Sequence, residues 1–308
     1  MNADDDGRVK AVAIVYPDQF LGLPPCAVED ADAVILSLPF ERTASYGTGT
    51  WRAPRAILDA SCQVETFDEE TLVDFEVAPR IHTAPAILDD GDAPVEEYLQ
   101  RVKEAAARLK TKFVLSLGGE HTVTYGVVRG LASNVANLTI VQVDAHADLR
   151  DVLDGKRWSH ATVMRRLFEE GARLVQVGVR SISREEYDLV KREKRIACFF
   201  AHELKSGWEQ LREALRRLRG DVYLSIDVDG LDPGVLPNTG TPQPDGLSWA
   251  RVMEIAHELS VSRLCRFLAA DVVEYVASPH PPGCDIIAAK LVTKILAHRF
   301  AERNPHVS

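Results

Sequence analysis

Short apolar runs alternate with longer amphipathic runs along most of the chain, and this order restricts the possible folds more than any other feature. Seven runs of six to eight residues are typical of strands buried on both faces, at 33–38, 113–118, 139–144, 174–179, 195–200, 222–227 and 266–273. Amphipathic stretches predict helices at 95–110, 183–194, 207–220, 248–259 and 284–300. The alternation predicts an α/β fold in three layers, with a mostly parallel sheet of about eight strands between helices.

The length and composition allow one large core. The chain has 308 residues, of which 46% are hydrophobic, so neither disulfides nor metals are needed to hold a core together. No linker rich in Pro, Gly or Ser and no internal repeat divides the sequence. We therefore predict a single domain over residues 1–308, with frayed ends at about 1–10 and 303–308.

Charge and cysteine usage exclude several classes of protein. A net charge of −10 argues against a nucleic-acid surface and is compatible with a small cationic substrate. The five cysteines are scattered without CxxC spacing, which predicts no disulfide framework and no thiolate zinc site and favours the reducing cytoplasm. The acidic N-terminus and the lack of apolar stretches of about 18 residues predict neither export nor a membrane span.

Polar residues gather where four of the predicted strands end. Ligands of open parallel sheets bind beyond the carboxyl ends of the strands, so these residues are the first functional candidates. Any one Asp could simply cap a helix, and a lone His is often a hydrogen-bonded core residue. The candidates are Glu120 and His121; Asp144, His146 and Asp148; Asp227, Asp229 and Asp232; and Asp271 and Glu274.

Taken together, these groups require a cation. Several carboxylates sharing a small, partly dry volume are costly to bury without a compensating positive charge. Carboxylate and imidazole ligands without thiolate suit Mn²⁺ and also accept Fe²⁺, Co²⁺, Ni²⁺ or Zn²⁺. Four aspartates match the charge of two divalent ions, and such a pair activates water for hydrolysis. The residues therefore predict a dinuclear metallohydrolase.

Six motifs in one order resemble the ureohydrolase family, which includes arginase and agmatinase. They are GGEHTVTYG, DAHADLRD, SHATVMRR, SIDVDGLDP, NTGTPQPDG and DVVEYVASP, and the resemblance runs from about Leu38 to the final helix. It implies the arginase-like fold, a hydrolase of linear amidines and a homotrimer or homohexamer.

The resemblance also implies a role for individual residues. Two Mn²⁺ ions per chain would be held, one by His121, Asp144, Asp148 and Asp227, and the other by Asp144, His146, Asp227 and Asp229. His160 matches the family's proton-shuttling histidine, and Glu274 matches the carboxylate that grips the guanidinium group. Asp148 or His160 would return a proton to the departing amine. Thr241 lies at a further substrate-loop position.

Agmatine, cleaved to putrescine and urea, is the substrate that the resemblance favours. The loop LRDVLDGKRWSH lacks the Asn, Ser and Thr residues with which arginases bind the α-amino acid end of their substrate. Asn238, Gln243 and Asp245 depart from the pattern of many relatives, which leaves the role of that loop in specificity open. The other substrates left open are aminopropylagmatine, guanidinobutyrate, guanidinopropionate, guanidine and arginine.

Three alternatives remain at this stage. A substrate with a carboxylate tail would suit Arg150, Lys156 and Arg157 if these residues face the site. If they form a solvated basic loop, they do not contact the substrate. A one-metal site, as in histone-deacetylase-like enzymes, would bind about one ion per chain. A non-catalytic metal-binding relative would release no urea from any guanidine.

Overall fold

The structure is a computed structural model in which residues 18–277 and 283–301 are described. The ends predicted to be frayed, 1–10 and 303–308, lie outside the described residues. No helix within the described ranges is both long and apolar enough to cross a membrane. The single-domain interpretation stays a prediction.

Within the described ranges, eight strands form one sheet. They are β1 (Ala33–Leu38), β2 (Ile81–Ala84), β3 (Phe113–Gly118), β4 (Leu138–Val143), β5 (Arg173–Val179), β6 (Ile196–Phe200), β7 (Gly220–Asp227) and β8 (Cys265–Val273). Their order across the sheet is β2-β1-β3-β8-β7-β4-β5-β6, and neighbouring strands are parallel. Only β2 lacks a predicted counterpart, because it has four residues of which His82 and Thr83 are polar.

The part of the chain that the structure describes contains eight α-helices, of which the first seven connect consecutive strands and the last follows β8. They are α1 (Ala53–Ser61), α2 (Val95–Ala107), α3 (Val123–Leu131), α4 (Val163–Glu169), α5 (Arg184–Arg192), α6 (Ala201–Arg216), α7 (Trp249–Val261) and α8 (Gly283–Phe300). The described residues thus include three helices without a predicted counterpart, α1, α3 and α4, each of nine residues or fewer.

The predicted helix at 207–220 is displaced in the structure. Helix α6 begins at Ala201, six residues earlier, because the Glu203 carboxylate accepts the Phe200 backbone N–H at 3.3 Å and caps the first turn. Gly207, where the helix was predicted to begin, has non-helical backbone angles inside α6. The helix ends at Arg216 because β7 already begins at Gly220.

The helices cover both faces of the sheet. Ile57, Leu211, Ile255 and Ile295, from α1, α6, α7 and α8, belong to one buried apolar cluster. A second cluster contains Leu99, Val127, Leu167 and Leu189, from α2, α3, α4 and α5. Two clusters separated by a sheet with strands buried on both faces make three layers, so the predicted α/β architecture is confirmed.

The sheet order explains why one edge gathers polar residues. Strands β3 and β4 follow one another in sequence, but β8 and β7 lie between them in the sheet. Such a reversal of strand order opens a crevice at the carboxyl ends of the strands. The four strands predicted to end in candidate ligands are these four neighbours, β3, β8, β7 and β4.

Candidate metal centre

The loop after β4 carries three of the predicted ligands. Asp144 follows the last residue of β4, and the chain then turns away from the strand direction. Asp148 has a φ of 54°, a left-handed conformation that is uncommon for a residue other than glycine. The turn brings His146 and Asp148 back beside Asp144, so residues 144–151 form a loop around the centre.

His121 lies at the middle of the first group of ligands. Its Nδ1 atom is 2.9 Å from Asp148 Oδ2, 3.3 Å from Asp144 Oδ2 and 3.6 Å from Asp227 Oδ2. All four side chains are buried. One imidazole nitrogen and three carboxylate oxygens therefore converge on one point.

A second group surrounds His146. Its Nδ1 atom is 2.9 Å from Asp229 Oδ2 and 3.6 Å from Asp144 Oδ1. Asp144 belongs to both groups, with one oxygen toward each imidazole. All six residues predicted as metal ligands thus lie together, and the carboxylate of Asp144 has the position that a bridging ligand needs.

The turn after β7 holds Asp229 against the loop after β4. The backbone N–H of Ala145 donates to Asp229 Oδ1 at 3.0 Å, which leaves Oδ2 toward His146. Gly230 allows this close approach, because a Cβ atom there would lie 2.7 Å from the Asp144 nitrogen. Any larger residue at this position would push the two loops apart.

A hydrogen-bonded chain behind His121 orients its ring. Ser225 Oγ donates to Asp271 Oδ1 at 2.7 Å, so it accepts from His121 Nε2, which is 2.8 Å away. The proton then resides on Nε2, and the lone pair of Nδ1 faces the carboxylates. This buried Nδ1 has no hydrogen-bond partner among the described residues, although it faces three carboxylates. A lone pair without a donor is the state that binds a metal ion.

The electrostatics of the cluster also fit a cation. Burial and the neighbouring Asp144 carboxylate raise the pKa of Asp148 to about 7. Burial and the carboxylates of Asp229 and Asp144 raise the pKa of Asp227 far above its ordinary value. The carboxylates cannot all remain ionised together unless positive charge lies between them. Because the donors are oxygen and imidazole nitrogen without sulfur, divalent ions of the Mn²⁺ to Zn²⁺ series fit this set.

His160 is held by residues that follow β1. Thr43 Oγ1 donates to Glu120 Oε2 at 2.6 Å, so it accepts from His160 Nδ1, which is 3.1 Å away. The other ring nitrogen, Nε2, is 3.0 Å from Ser45 Oγ and carries the lone pair. Burial, the largest cause, lowers the pKa of His160 to about 4. The imidazole is therefore neutral at pH 7.

A small cavity joins the remaining predicted residues to the cluster. Its lining consists of residues 44–47, Gly240 and the following predicted site residues: His146, Asp148, His160, Asp227, Asp229, Thr241 and Glu274. Gly47 donates its N–H to the Gly240 carbonyl at 3.1 Å, so the segments around these two glycines meet at the cavity. Glu274 has a φ of 61°, and its Oε1 accepts the His121 backbone N–H at 2.6 Å. Strained conformations of this kind cluster at functional sites.

Three of the strand-end candidates belong neither to the ligand groups nor to the cavity lining. Glu120 is buried behind His160, where it accepts from Arg42 and Thr43. Asp271 is buried behind His121 and accepts from Thr124, Tyr223 and Ser225. Asp232 accepts the backbone N–H groups of Gly234 and Gly246 and only shapes a turn.

The basic residues of the loop after β4 do not line the cavity. Arg157 pairs with Glu169 at 3.3 Å, and Arg150 lies 4.0 Å from Glu186. Lys156 donates to the backbone carbonyl of Arg42 at 3.3 Å. These contacts favour the interpretation as a solvated basic loop over one that binds a carboxylate tail.

Comparison with known proteins identifies the family. A sequence model of the Arginase family matches residues 31–298 of the chain. This chain belongs to the arginase family. An N(1)-aminopropylagmatine ureohydrolase from Synechocystis sp. is 34% identical to it over 292 residues, which cover 92% of this chain and 94% of the relative. An agmatinase from Pyrococcus horikoshii is 32% identical over 278 residues, which cover 89% and 94%.

A solved structure also resembles this arginase-family chain. The agmatine ureohydrolase of Thermoplasma volcanium superposes with a TM-score of 0.81 at 29% identity, covering 92% of this chain and 94% of the other. The family, the fold and the enzyme class expected from the sequence motifs, an agmatinase-like ureohydrolase, are confirmed.

Residues 43–47 contribute to the site without having been predicted. The strand-end rule also applies to β1, which ends at Leu38 and is followed by polar and small residues. Thr43 and Ser45 in this stretch contact His160, and residues 44–47 line the cavity. Extending the rule to every strand, instead of to those that end in charged residues, would have found them.

Proposed function

We propose that this arginase-family protein hydrolyses a guanidino compound with a cationic tail to urea and an amine, with agmatine, which yields putrescine, as the first candidate. The observation that carries the proposal is that four of the six predicted ligands border one cavity together with His160 and Glu274, and that the other two, His121 and Asp144, lie buried in contact with them. Aminopropylagmatine is the second candidate, because the Synechocystis relative is named for it.

Two divalent ions fit the ligands described above. His121, Asp144, Asp148 and Asp227 would hold one ion, and Asp144, His146, Asp227 and Asp229 would hold the other. When bound, the ions supply Lewis-acid charge and lower the pKa of water, which provides a nucleophile near neutral pH. Manganese as the native ion and a trimeric or hexameric assembly stay predictions from the resemblance, and the cytoplasmic location stays a prediction from the cysteine usage.

Glu274 binds and orients the guanidinium group. Its Oε1 is already held by the His121 backbone N–H, which fixes the plane of the carboxylate. A planar cation donates paired, charge-assisted hydrogen bonds to such a group, and this geometry presents the central carbon to the nucleophile. The carboxylate remains ionised only while it faces positive charge, because burial and Glu120 raise its pKa.

His160 moves the proton that the leaving amine requires. A guanidinium nitrogen departs as an amine only after it is protonated, so a group beside it must deliver a proton. His160 Nε2 carries a lone pair that can take a proton from the attacking water and return it to the amine. Asp148, which lines the same cavity, is the second group able to do so.

The residues that line the cavity also indicate the charge of the substrate's tail. The described residues that line the cavity include four carboxylates, Asp148, Asp227, Asp229 and Glu274, and neither Lys nor Arg is among them. Asp148, Asp227 and Asp229 would hold the metal ions and Glu274 the guanidinium group, so a carboxylate tail would find no cationic side chain in the lining, which an amine tail does not need. This contrast favours agmatine and aminopropylagmatine over guanidinobutyrate and guanidinopropionate.

A panel of guanidines tests the proposed function. We expect urea release from agmatine or aminopropylagmatine to exceed that from either acid-tailed guanidine by about tenfold or more in kcat/KM. Guanidine and arginine complete the panel, and each substrate is assayed with Mn²⁺ and with Ni²⁺ in parallel. A preference for an acid tail would refute the substrate assignment. No urea from any compound, with metal shown to be bound, would refute the enzymatic function.

Replacing Thr43 tests how His160 is oriented. Thr43→Val keeps the shape of the side chain but removes the hydroxyl between Glu120 and His160 Nδ1. We expect kcat to fall about 10-fold to 100-fold with a small change in KM, because the ring loses its fixed orientation. Thr43→Ser retains the hydroxyl and should restore most of kcat. Wild-type kcat in Thr43→Val would contradict this role of the hydroxyl, and a loss in Thr43→Ser as large as that in Thr43→Val would mean that the hydrogen bond alone does not orient the ring.

A further inference from the structure

Among the described residues, the side chain of Arg180, the first residue after β5, donates hydrogen bonds only to backbone carbonyls. Its Nε atom donates to Pro244 at 2.9 Å, and its Nη1 atom donates to Gly178 at 3.1 Å. Its Nη2 atom contacts the carbonyls of Asp229 at 2.6 Å, Gln243 at 2.9 Å and Leu231 at 3.4 Å. One planar guanidinium therefore joins β5 to two loops that are distant in sequence.

The backbone of Arg180 reaches a third loop. Its N–H donates to the carbonyl of Ala145 at 2.8 Å, between the predicted ligands Asp144 and His146. Ala145 in turn donates its own N–H to the Asp229 carboxylate. The peptide units of Ala145 and Asp229 are thus each held by Arg180, one through its main chain and the other through its side chain.

The charge of Arg180 is not used in a direct ion pair. Among the described residues, no carboxylate lies within 4.0 Å of its guanidinium. Burial lowers its pKa, but the carboxylates of Asp229, Asp144, Asp232 and Asp227 oppose this effect and favour the charged form. A cation therefore lies behind the ligand cluster without occupying a carboxylate oxygen, so these oxygens remain available to a metal ion.

We propose that Arg180 is a positioning residue that sets the direction of the Asp229 carboxylate and links the metal-ligand turn to the segment that bears Thr241. A rotation of the Asp229 peptide would turn Oδ2 away from His146, which it now faces at 2.9 Å. Gln243 follows Thr241 by two residues, so the same guanidinium also fixes one wall of the cavity. This second part rests on the proposed function, whereas the first concerns metal binding alone.

A conservative variant separates these roles. Arg180→Lys keeps the charge but has one donor group where the guanidinium has three nitrogens, so it cannot reach both loops at once. Arg195 supplies a matched control, because its Nη1 donates to the carbonyls of Phe168 and Ala172 at 3.0 and 2.9 Å, and it does not line the cavity. Arg195→Lys therefore reports the effect of losing a guanidinium whose hydrogen bonds to carbonyls lie elsewhere.

Metal titration is the first measurement. Mn²⁺ affinity and stoichiometry are measured by competition with a chelator for the wild-type protein, Arg180→Lys and Arg195→Lys, together with the thermal midpoint of each metal-free protein. We expect Arg180→Lys to weaken one of the two ions about 10-fold to 100-fold, as is usual for the loss of a group that orients a ligand. Arg195→Lys should bind both ions as the wild type does.

Kinetics form the second measurement. With saturating Mn²⁺, Arg180→Lys should raise KM for the best guanidine of the panel by about tenfold, because the wall bearing Thr241 is displaced. Arg180→Gln serves as a second variant, and if it fails to fold, Arg180→Lys still decides the outcome. Wild-type metal affinity in Arg180→Lys would overturn the proposal, as would a loss of affinity that Arg195→Lys shows equally.

The two proposals fail separately. If the wild-type protein releases no urea from any guanidine, the proposed function is wrong, and the metal titration still tests Arg180. If the wild type is active and Arg180→Lys retains its metal affinity, the role of Arg180 is wrong and the proposed function stands.

Discussion

Asp144→Asn is expected to abolish urea release, with a loss of at least about 1000-fold in kcat/KM. Asp144 is fully buried and lies 3.3 Å from His121 Nδ1 and 3.6 Å from His146 Nδ1, so one residue serves both ligand groups. The amide removes one of the negative charges that attract the ions. We therefore expect less than one Mn²⁺ per chain under conditions in which the wild type holds two.

Hydrogen bonds make this substitution more damaging than a loss of charge alone. Asp144 Oδ1 accepts the His146 backbone N–H at 2.6 Å, and Oδ2 accepts Gln142 Nε2 at 2.6 Å. The Gln142 amide cannot rotate by half a turn, because its Oε1 accepts a hydrogen bond from Gln176 Nε2 at 2.6 Å. In either orientation, the introduced amide would place its NH₂ group against another donor.

Asp232→Asn is the matched control for this prediction. Asp232 belongs to the same SIDVDGLDP motif as Asp227 and Asp229, but its carboxylate accepts backbone N–H groups, including those of Gly234 and Gly246. Its amide variant should retain metal stoichiometry and most of the activity. Activity of Asp144→Asn within tenfold of the wild type, in protein shown to be folded by its thermal midpoint, would contradict the assignment of Asp144 as a shared ligand.

Lys294→Met is expected to lower the free energy of unfolding by about 3–5 kcal/mol. The side chains of Lys294 in α8 and Asp68 are only 5% and 1% exposed, and Lys294 Nζ lies 2.9 Å from Asp68 Oδ2 and 2.7 Å from Glu70 Oε2. Met fills a similar volume without the charge, so the variant leaves the Asp68 carboxylate buried and without its cation. Thermal unfolding of the two proteins measures the difference.

An exposed ion pair provides the control. Arg266 binds the Asp221 carboxylate with two hydrogen bonds of 2.7 and 2.8 Å, but the side chains are 58% and 30% exposed. Arg266→Met should therefore cost about 1 kcal/mol or less, since solvent screens such pairs. Equal losses for the two variants would mean that burial of Asp68 does not set the cost.

The pH dependence of the Lys294 contribution has a definite sign. Burial raises the pKa of Asp68, but the Lys294 ammonium and the Thr71 donors lower it by more, so the net shift is downward. A carboxylate whose folded pKa is lowered stabilises the protein fully above its ordinary pKa of 3.8, and this contribution is lost as the pH falls through the lower folded value. The wild type should thus lose this contribution only in strong acid. In Lys294→Met, where no ammonium opposes the effect of burial, Asp68 takes up its proton at a higher pH, so the difference between the two proteins begins to shrink there.

Much of the fold could be predicted because its signals are local. Runs such as AVILSL at β1 and TIVQVD at β4 contain enough apolar residues to show a strand buried on both faces. Strand β2, with four residues, and helix α4, with seven, are too short to show a period. Their structure depends on the neighbours against which they lie, and the sequence does not reveal these.

The candidate ligands could be predicted for a different reason. Parallel strands put their carboxyl ends at one edge, so Asp144 after β4 and Asp227 at the end of β7 had to lie near each other if the strands were neighbours. The negative charge of the carboxylates gathered there then required a cation. Two contacts could not be predicted, that of Thr43 with His160 and that of Arg180 with the backbone of Asp229. They use a hydroxyl group and backbone carbonyls, which are common in every protein and produce no sequence pattern.

The sequence by itself determined which chemical groups this protein brings to its sheet edge: carboxylates and imidazoles at the ends of buried strands, in an order that resembles the arginase family. Only the tertiary structure decided how these groups act. The proton of His121 resides on Nε2 because Ser225 and Asp271 lie behind it, and the lone pair of His160 resides on Nε2 because Thr43 and Glu120 lie behind it. Hydrogen bonds are directional and short in range, so they are fixed only when segments more than 40 residues apart are in contact.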